Sequence, residues 1–61
     1  MDIQHWYAFE VKGWLNVMVV KASSEEEALE DAASMAAGED NVIFFRRVTE
    51  EEAEEIIQSY G

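Results

Sequence analysis

The chain has no cysteine, and it has only four basic residues among 61. Without cysteine there is no disulfide framework and no cysteine-based zinc site. The three glycines, Gly13, Gly38 and Gly61, stand far apart, so no glycine-rich loop can cradle a phosphate. No apolar run approaches the ~18 residues of a membrane-spanning helix. The opening residues, Met1 to His5, lack the basic start and apolar stretch of a signal peptide. Absence of cysteine also suits a reducing compartment, so the expectation is a soluble, cytoplasmic protein. Four cations against 14 acids leave a formal net charge of -10. That is a poor electrostatic footprint for direct binding of nucleic acid or an anionic membrane.

Hydrophobic residues make up 49% of the chain. They concentrate in segments rich in Val, Ile, Phe, Tyr and Trp, which argues for a folded domain despite the charge. Residues 1–61 form a single domain. A domain this short buries only roughly 60% of the surface that its unfolded chain exposes. Small domains commonly add a disulfide, a metal or a second subunit. With disulfides excluded, oligomerisation is the expected supplement.

Residues 5–12 alternate well enough for a strand, and residues 15–22 form a second β-rich run. Gly13-Trp14 between them predicts a two-residue type II′ turn, with Gly13 at the first loop position. That turn pairs Lys12 with Leu15, Glu10 with Val17, Ala8 with Val19 and Trp6 with Lys21. Ser24 with Glu27 three residues on is a capping box, and Glu25, Glu26 and Glu27 suit a helix N-terminus. Leu29, Ala32, Ala33 and Ala36 follow at helical spacing, and Gly38 is the natural C-cap, so a helix spans about residues 24–37. Asn41 to Val48 reads as the third strand. Thr49 with Glu52 repeats the helix-start signal, and Val48 can staple against Ala53. Ala53, Ile56, Ile57 and Tyr60 then carry a second helix to about residue 60.

The order ββαβα predicts an α+β fold. A crossover through the first helix places strand three beside strand one, giving a three-stranded antiparallel sheet of order 2-1-3. Both helices are expected on one face, over Tyr7, Phe9, Val11, Met18 and Val20. The other face carries Trp6, Ala8, Glu10, Lys12, Leu15, Val17, Val19 and Lys21. It is too apolar for a wholly solvated surface, and an exposed apolar patch usually marks an interaction site. Trp6, Leu15, Val17 and Val19, with Trp14 in the turn, are therefore the expected partner or dimer interface. Two sheets packed face to face across a two-fold axis would form a homodimer; edge pairing of strand two or three is the other route.

No constellation points to catalysis. His5 is the only histidine, and no serine lies in a nucleophile elbow or glycine-rich loop near it. Glu10 lies mid-strand, where Lys12 or an arginine of strand three can pair with it. Consecutive helical Glu residues point about 100° apart, so Glu25, Glu26 and Glu27 cannot converge on one ion. Aromatic residues near Lys12, Lys21, Arg46 and Arg47 are the single argument for nucleic-acid stacking, and the charge opposes it. No catalytic, metal or cofactor residue is assigned.

Twelve of the acids fall in two blocks, Glu25 to Asp40 and Glu50 to Glu55, with no Lys or Arg in either. Capping and the helix dipole account for the first turns. They do not account for Glu30, Asp31, Glu39, Asp40, Glu54 and Glu55, which are the expected partner-binding acids. Rows of Glu on two helices can imitate phosphate charge. In size, charge and coarse topology the chain resembles phage-encoded inhibitors that mimic DNA, such as those that block uracil-DNA glycosylase or host defence nucleases. The resemblance implies a non-enzymatic inhibitor that engages a basic, nucleic-acid-binding surface of a protein partner; no motif carries it, so no residue role is transferred. The alternative is a dimeric structural or interaction module whose acid serves only solubility.

Overall fold

The two β-rich runs before residue 23 form an antiparallel hairpin of β1 (His5–Val11) and β2 (Met18–Ala22). The structure is a computed structural model that describes residues 3–60, with the side chain of Tyr60 also outside the description. The hairpin register is the one expected, with Trp6 opposite Lys21 and Ala8 opposite Val19. The turn differs. The Trp14 N–H donates to the Val11 carbonyl at 2.9 Å, so Val11 to Trp14 make a four-residue turn. Gly13 sits at its third position with φ 91°, as a type II turn requires, and not at the first. Lys12 leaves β2 altogether, because its N–H donates to the Asn41 carbonyl at 2.8 Å.

Helix α1 (Glu25–Ala36) starts at Ser24, whose Oγ accepts from the Glu27 N–H at 3.2 Å. The carboxylate of Glu27 takes its own bond from the neighbouring Ser23 hydroxyl at 2.7 Å. The C-terminus of the helix corrects an expectation. The left-handed cap is Ala37, at φ 61° and ψ 35°, and not Gly38. The Asn41 side chain donates to the Ala36 carbonyl at 3.0 Å and helps hold this end. A 3-10 helix (Glu39–Asn41) then leads into β3 (Val42–Val48). Helix α2 (Glu50–Tyr60) closes the order. Its start is a complete capping box: the Glu52 N–H donates to Thr49 Oγ1 at 3.1 Å, and the Thr49 N–H to Glu52 Oε1 at 3.2 Å.

The sheet order is β2-β1-β3, antiparallel throughout, in an α+β domain. The helices, however, do not share a face. Ala28, Ala32 and Ala36 of α1 pack with Tyr7, Phe9, Val11 and Ala22, flanked by Met18, Val20, Val42 and Phe45. Ala53 of α2 packs with Ala8 and Val48, flanked by Trp6, Val17, Val19 and Ile56. Neighbouring strand residues point to opposite faces, so the sheet lies between the two helices. Central strand β1 is accordingly buried on both sides, with Ala8 2% and Phe9 0% exposed.

A bulge in β3 explains the arrangement. Ala8 pairs with Arg46 and Glu10 with Ile43, so Phe44 and Phe45 together oppose the single residue Phe9. Phe44 takes φ 51°, the left-handed conformation that glycine usually supplies at such a bulge. The extra residue reverses the alternation of β3. Phe45 turns to the α1 face and stacks on Tyr7, with ring centroids 5.6 Å apart. Val48 consequently lies on the other face, opposite Trp6, and packs with Ala53. The staple from Val48 to Ala53 thus draws α2 onto that face.

Ala37 and Phe44 are the two described non-glycine residues with positive φ. Each sets Cβ against a carbonyl oxygen at about 1–2 kcal/mol. Ala37→Gly and Phe44→Gly should each stabilise the fold by about 0.5–1 kcal/mol once glycine's extra unfolded-state entropy is subtracted. Urea unfolding of the three proteins checks this, and a lower midpoint in either variant would contradict the assigned backbone geometry.

Candidate functional site

The acid is carried by the helical layers. Five acids lie in α1, two in the 3-10 helix and five in α2, and all are exposed apart from half-buried Glu52. Because the helices flank the sheet, Glu30 and Asp31 lie on one side and Glu54 and Glu55 on the other. The six acids do not form one face; this corrects the single acidic side read from the sequence. Glu39 and Asp40 sit in the 3-10 helix that joins α1 to β3. The molecule therefore carries two acidic layers back to back. Two packing distances of about 10 Å each set the helix axes roughly 20 Å apart.

The cations lie on the sheet and its turn, all exposed. Among the described residues the single ion pair joins Arg46 Nη1 to Glu52 Oε2 at 3.5 Å. Glu10, for which Lys12 or an arginine of strand three was the expected partner, is half-buried opposite Ile43 and has no ion pair among the described residues. Lys21 Nζ stands 5.4 Å from the centroid of the Trp6 ring. Arg47 Nη2 donates to His5 Nδ1 at 2.8 Å. Arginine cannot accept, so this bond leaves the neutral imidazole proton on Nε2. His5 is thus engaged by a cation, and no serine hydroxyl bonds to it. Among the described residues no polar side chain is buried, and no group of three His, Asp or Glu is placed to hold a metal ion.

The second sheet face is not open. Trp6, Val17 and Val19 are half-buried and pack in the cluster that contains Ala53 of α2. Face-to-face packing of two such sheets would require α2 to leave. Of the five apolar residues expected at an interface, Trp14 and Leu15 remain free, at 45% and 101% exposure. Leu15 borders a groove of about 180 Å³ with Asn16, Val17, Ile56 and Ser59, at the seam between the hairpin loop and α2. Sequence reasoning allows one of Phe44 and Phe45 on an exposed apolar face, and the structure selects Phe44. It is 74% exposed, next to Ile43 on edge strand β3. Nothing in the residue pattern announces the bulge that decides between the two.

Comparison with known protein families, curated proteins and solved structures finds no match to the chain. No described helix is long and apolar enough to cross a membrane. What the arrangement offers chemically is surface: two unneutralised acidic layers, a few exposed apolar side chains and a small set of cations.

Glu52 is the acid that the fold itself uses. The Thr49 N–H holds its carboxyl below the usual carboxylate range, helped by the Thr49 hydroxyl and the Arg46 charge, against a smaller opposing effect of desolvation. A folded-state value below the unfolded one stabilises the fold above the unfolded value, and that contribution is lost as pH falls through the folded value. Protonating the other acids meanwhile relieves self-repulsion and works the other way. Glu52→Gln keeps the capping geometry and removes the charge. The stability difference between wild type and Glu52→Gln should be largest near neutral pH and shrink on acidification below the carboxylate range. Thermal melts across pH measure it, and a difference independent of pH would contradict the assignment.

Proposed function

We propose that this chain is a non-enzymatic binding protein that engages a basic, nucleic-acid-binding surface of a protein partner by charge mimicry. It would act as the phage-type inhibitors of DNA-repair or defence enzymes do. The observation that carries the reading is the surplus of uncompensated acid. Glu30, Asp31, Glu39, Asp40, Glu54 and Glu55 lie past the first helical turns or in the connecting 3-10 helix, exposed and, among the described residues, without an ion pair. Helix formation does not require them, and their mutual repulsion opposes the compact state. Two acidic layers on opposed sides of a narrow body also suit a partner that closes around duplex DNA, because a duplex presents phosphates along two strands.

A dimeric interaction module, its acid serving only solubility, is the second reading. Exposed Leu15, Trp14 and Phe44 favour it, with edge pairing through β2 or β3 as the route left once α2 covers the sheet face. Salt separates the two. Contacts between charge rows weaken steeply as salt rises from about 50 to 200 mM, whereas apolar contacts persist.

The test is capture from lysate on the immobilised chain, with duplex DNA as competitor. Charge mimicry predicts retention of a nucleic-acid-processing protein at low salt and its release by modest salt or by DNA. The variant Glu30→Gln, Asp31→Asn, Glu54→Gln, Glu55→Gln should retain none and yet fold at least as stably as wild type. Failure to retain any such protein, or retention that survives salt, would contradict the proposal.

A further inference from the structure

The exposed apolar side chains gather at one end of the molecule. Among the described residues seven large ones are exposed, and six of them, Trp14, Leu15, Met35, Ile43, Phe44 and Ile57, lie toward the hairpin turn. Strand register and helix packing place them there. The turn follows Val11, which pairs with Val42, and Ile43 sits opposite Glu10 one step in. Helix α1 runs from Ala28, packed with Tyr7 and Ala22, to Ala36, packed with Phe9 and Val11, so its last turn with Met35 reaches the same end. Helix α2 starts beside Val48, opposite Trp6, and brings Ser59 to the groove beside Leu15, so its last turn with Ile57 does too. The helix starts, each with three glutamates in its first turn, therefore lie at the opposite end.

We propose that the hairpin end seats a second copy of this chain across a two-fold axis. Such a contact needs a surface complementary to itself. The end offers a projection, the 74% exposed Phe44, and a receptacle, the groove of about 180 Å³ lined in part by Leu15, Val17 and Ile56. A two-fold axis lets Phe44 of each copy enter the groove of the other. Charge is complementary in the same way. Lys12 has no ion pair among the described residues, and its N–H bonds the Asn41 carbonyl, so Glu39 and Asp40 lie close by in the 3-10 helix. Across the axis Lys12 of each copy faces those acids of the other. The 12 residues of α1 span about 18 Å, so the glutamates of the helix starts stay far beyond the screening length of about 8 Å from their counterparts. The negative dipole ends of the helices oppose the contact. Phe44 favours it, because a left-handed backbone and an exposed ring both cost the isolated domain, and burial against a second copy offsets them. The proposal rests on the dimeric reading and moves its seat from the strand edges to the sheet end. Arg46, Arg47 and the bulge discourage edge pairing of β3, and Lys21 that of β2. The contact leaves Glu30, Asp31, Glu54 and Glu55 free, so charge mimicry does not depend on it. It is small, so association is expected above about 100 µM, and dilute unfolding experiments see the monomer.

Sedimentation equilibrium and amide NMR of the whole chain, from about 10 µM to about 1 mM, test this. A dimer should form over that range, with saturable shifts at Trp14, Leu15, Ile43 and Phe44. Leu15→Lys and Phe44→Lys should each weaken it about tenfold or more, as loss of an interface anchor does. Both side chains are exposed, so either variant keeps the core. Ile3→Lys, the same kind of change at the other end, should leave the dimer unchanged. Lys12→Glu should weaken it, and adding Asp40→Lys should restore part of the loss. Raising salt from about 50 to 200 mM should strengthen the dimer by screening the net charge of -10 on each copy, opposite to the release expected of a mimicry partner. A monomer throughout, an equal loss in Ile3→Lys, or a double variant no better than Lys12→Glu would overturn the proposal. A dimer with slowed amide exchange along the outer edge of β2 or β3 would keep the dimeric reading and overturn this seat for it. Binding of the monomer to phosphatidylcholine vesicles, lost in Phe44→Lys, would assign the end to a membrane and overturn the proposal as well.

Discussion

The bulge at Phe44 and Phe45 decides which way the rest of the chain can go. Strand side chains alternate, so one extra residue sends every later side chain to the opposite face. Here it moves Phe45 onto Tyr7 and Val48 onto the side of Ala8. Helix α2 follows Val48 without a spacer except its cap, Thr49, so the side chain of Val48 selects the face that α2 covers. The left-handed backbone at Phe44 costs about 1–2 kcal/mol. Aromatic stacking of Phe45 on Tyr7 and burial of Val48 against Ala53 offset it, at about 0.5–1.5 kcal/mol for the ring pair and more for the apolar area.

Covering both faces of three strands is how so short a chain builds a core without a disulfide. Tyr7, Ala8 and Phe9 are consecutive and all buried, which a sheet covered on one side does not allow. Alanines line α1 at the contact, and α2 meets the strands through Ala53, so each helix approaches the sheet closely. The same geometry distributes the charge. Acid that follows the helices must appear on two opposed sides, and the cations are confined to the sheet, its turn and its ends. A partner sees two negative layers, one on each side of the sheet.

Much of this was legible in the residues. The period of two in β1, the paired Ser24–Glu27 and Thr49–Glu52 signals and the hairpin register all follow from local chemistry that tertiary packing then respects. The strand order followed from connectivity. The second helix went astray for a physical reason. A bulge of this kind is ordinarily announced by glycine, and position 44 holds phenylalanine, so the reversal of β3 leaves no mark in the pattern. A clue was nevertheless present: the face of Trp6, Ala8, Val17 and Val19 is too apolar to be solvated. It pointed to a cover, and the cover is α2 in place of a second copy. Ala37 is a similar case, because glycine at 38 drew attention from the residue that takes the left-handed turn.

The bulge, the covered sheet and the divided charge all require α1 and α2 to lie on opposite faces of the sheet, and methyl nuclear Overhauser effects test that directly. The Ala53 methyl should show contacts to Ala8 and Val48, while the Ala32 methyl shows contacts to Phe9 and Val11 and none to Ala8. Contacts from both Ala53 and Ala32 to Phe9 would place the helices on one face, and would contradict the bulge, the two acidic layers and the covered sheet together.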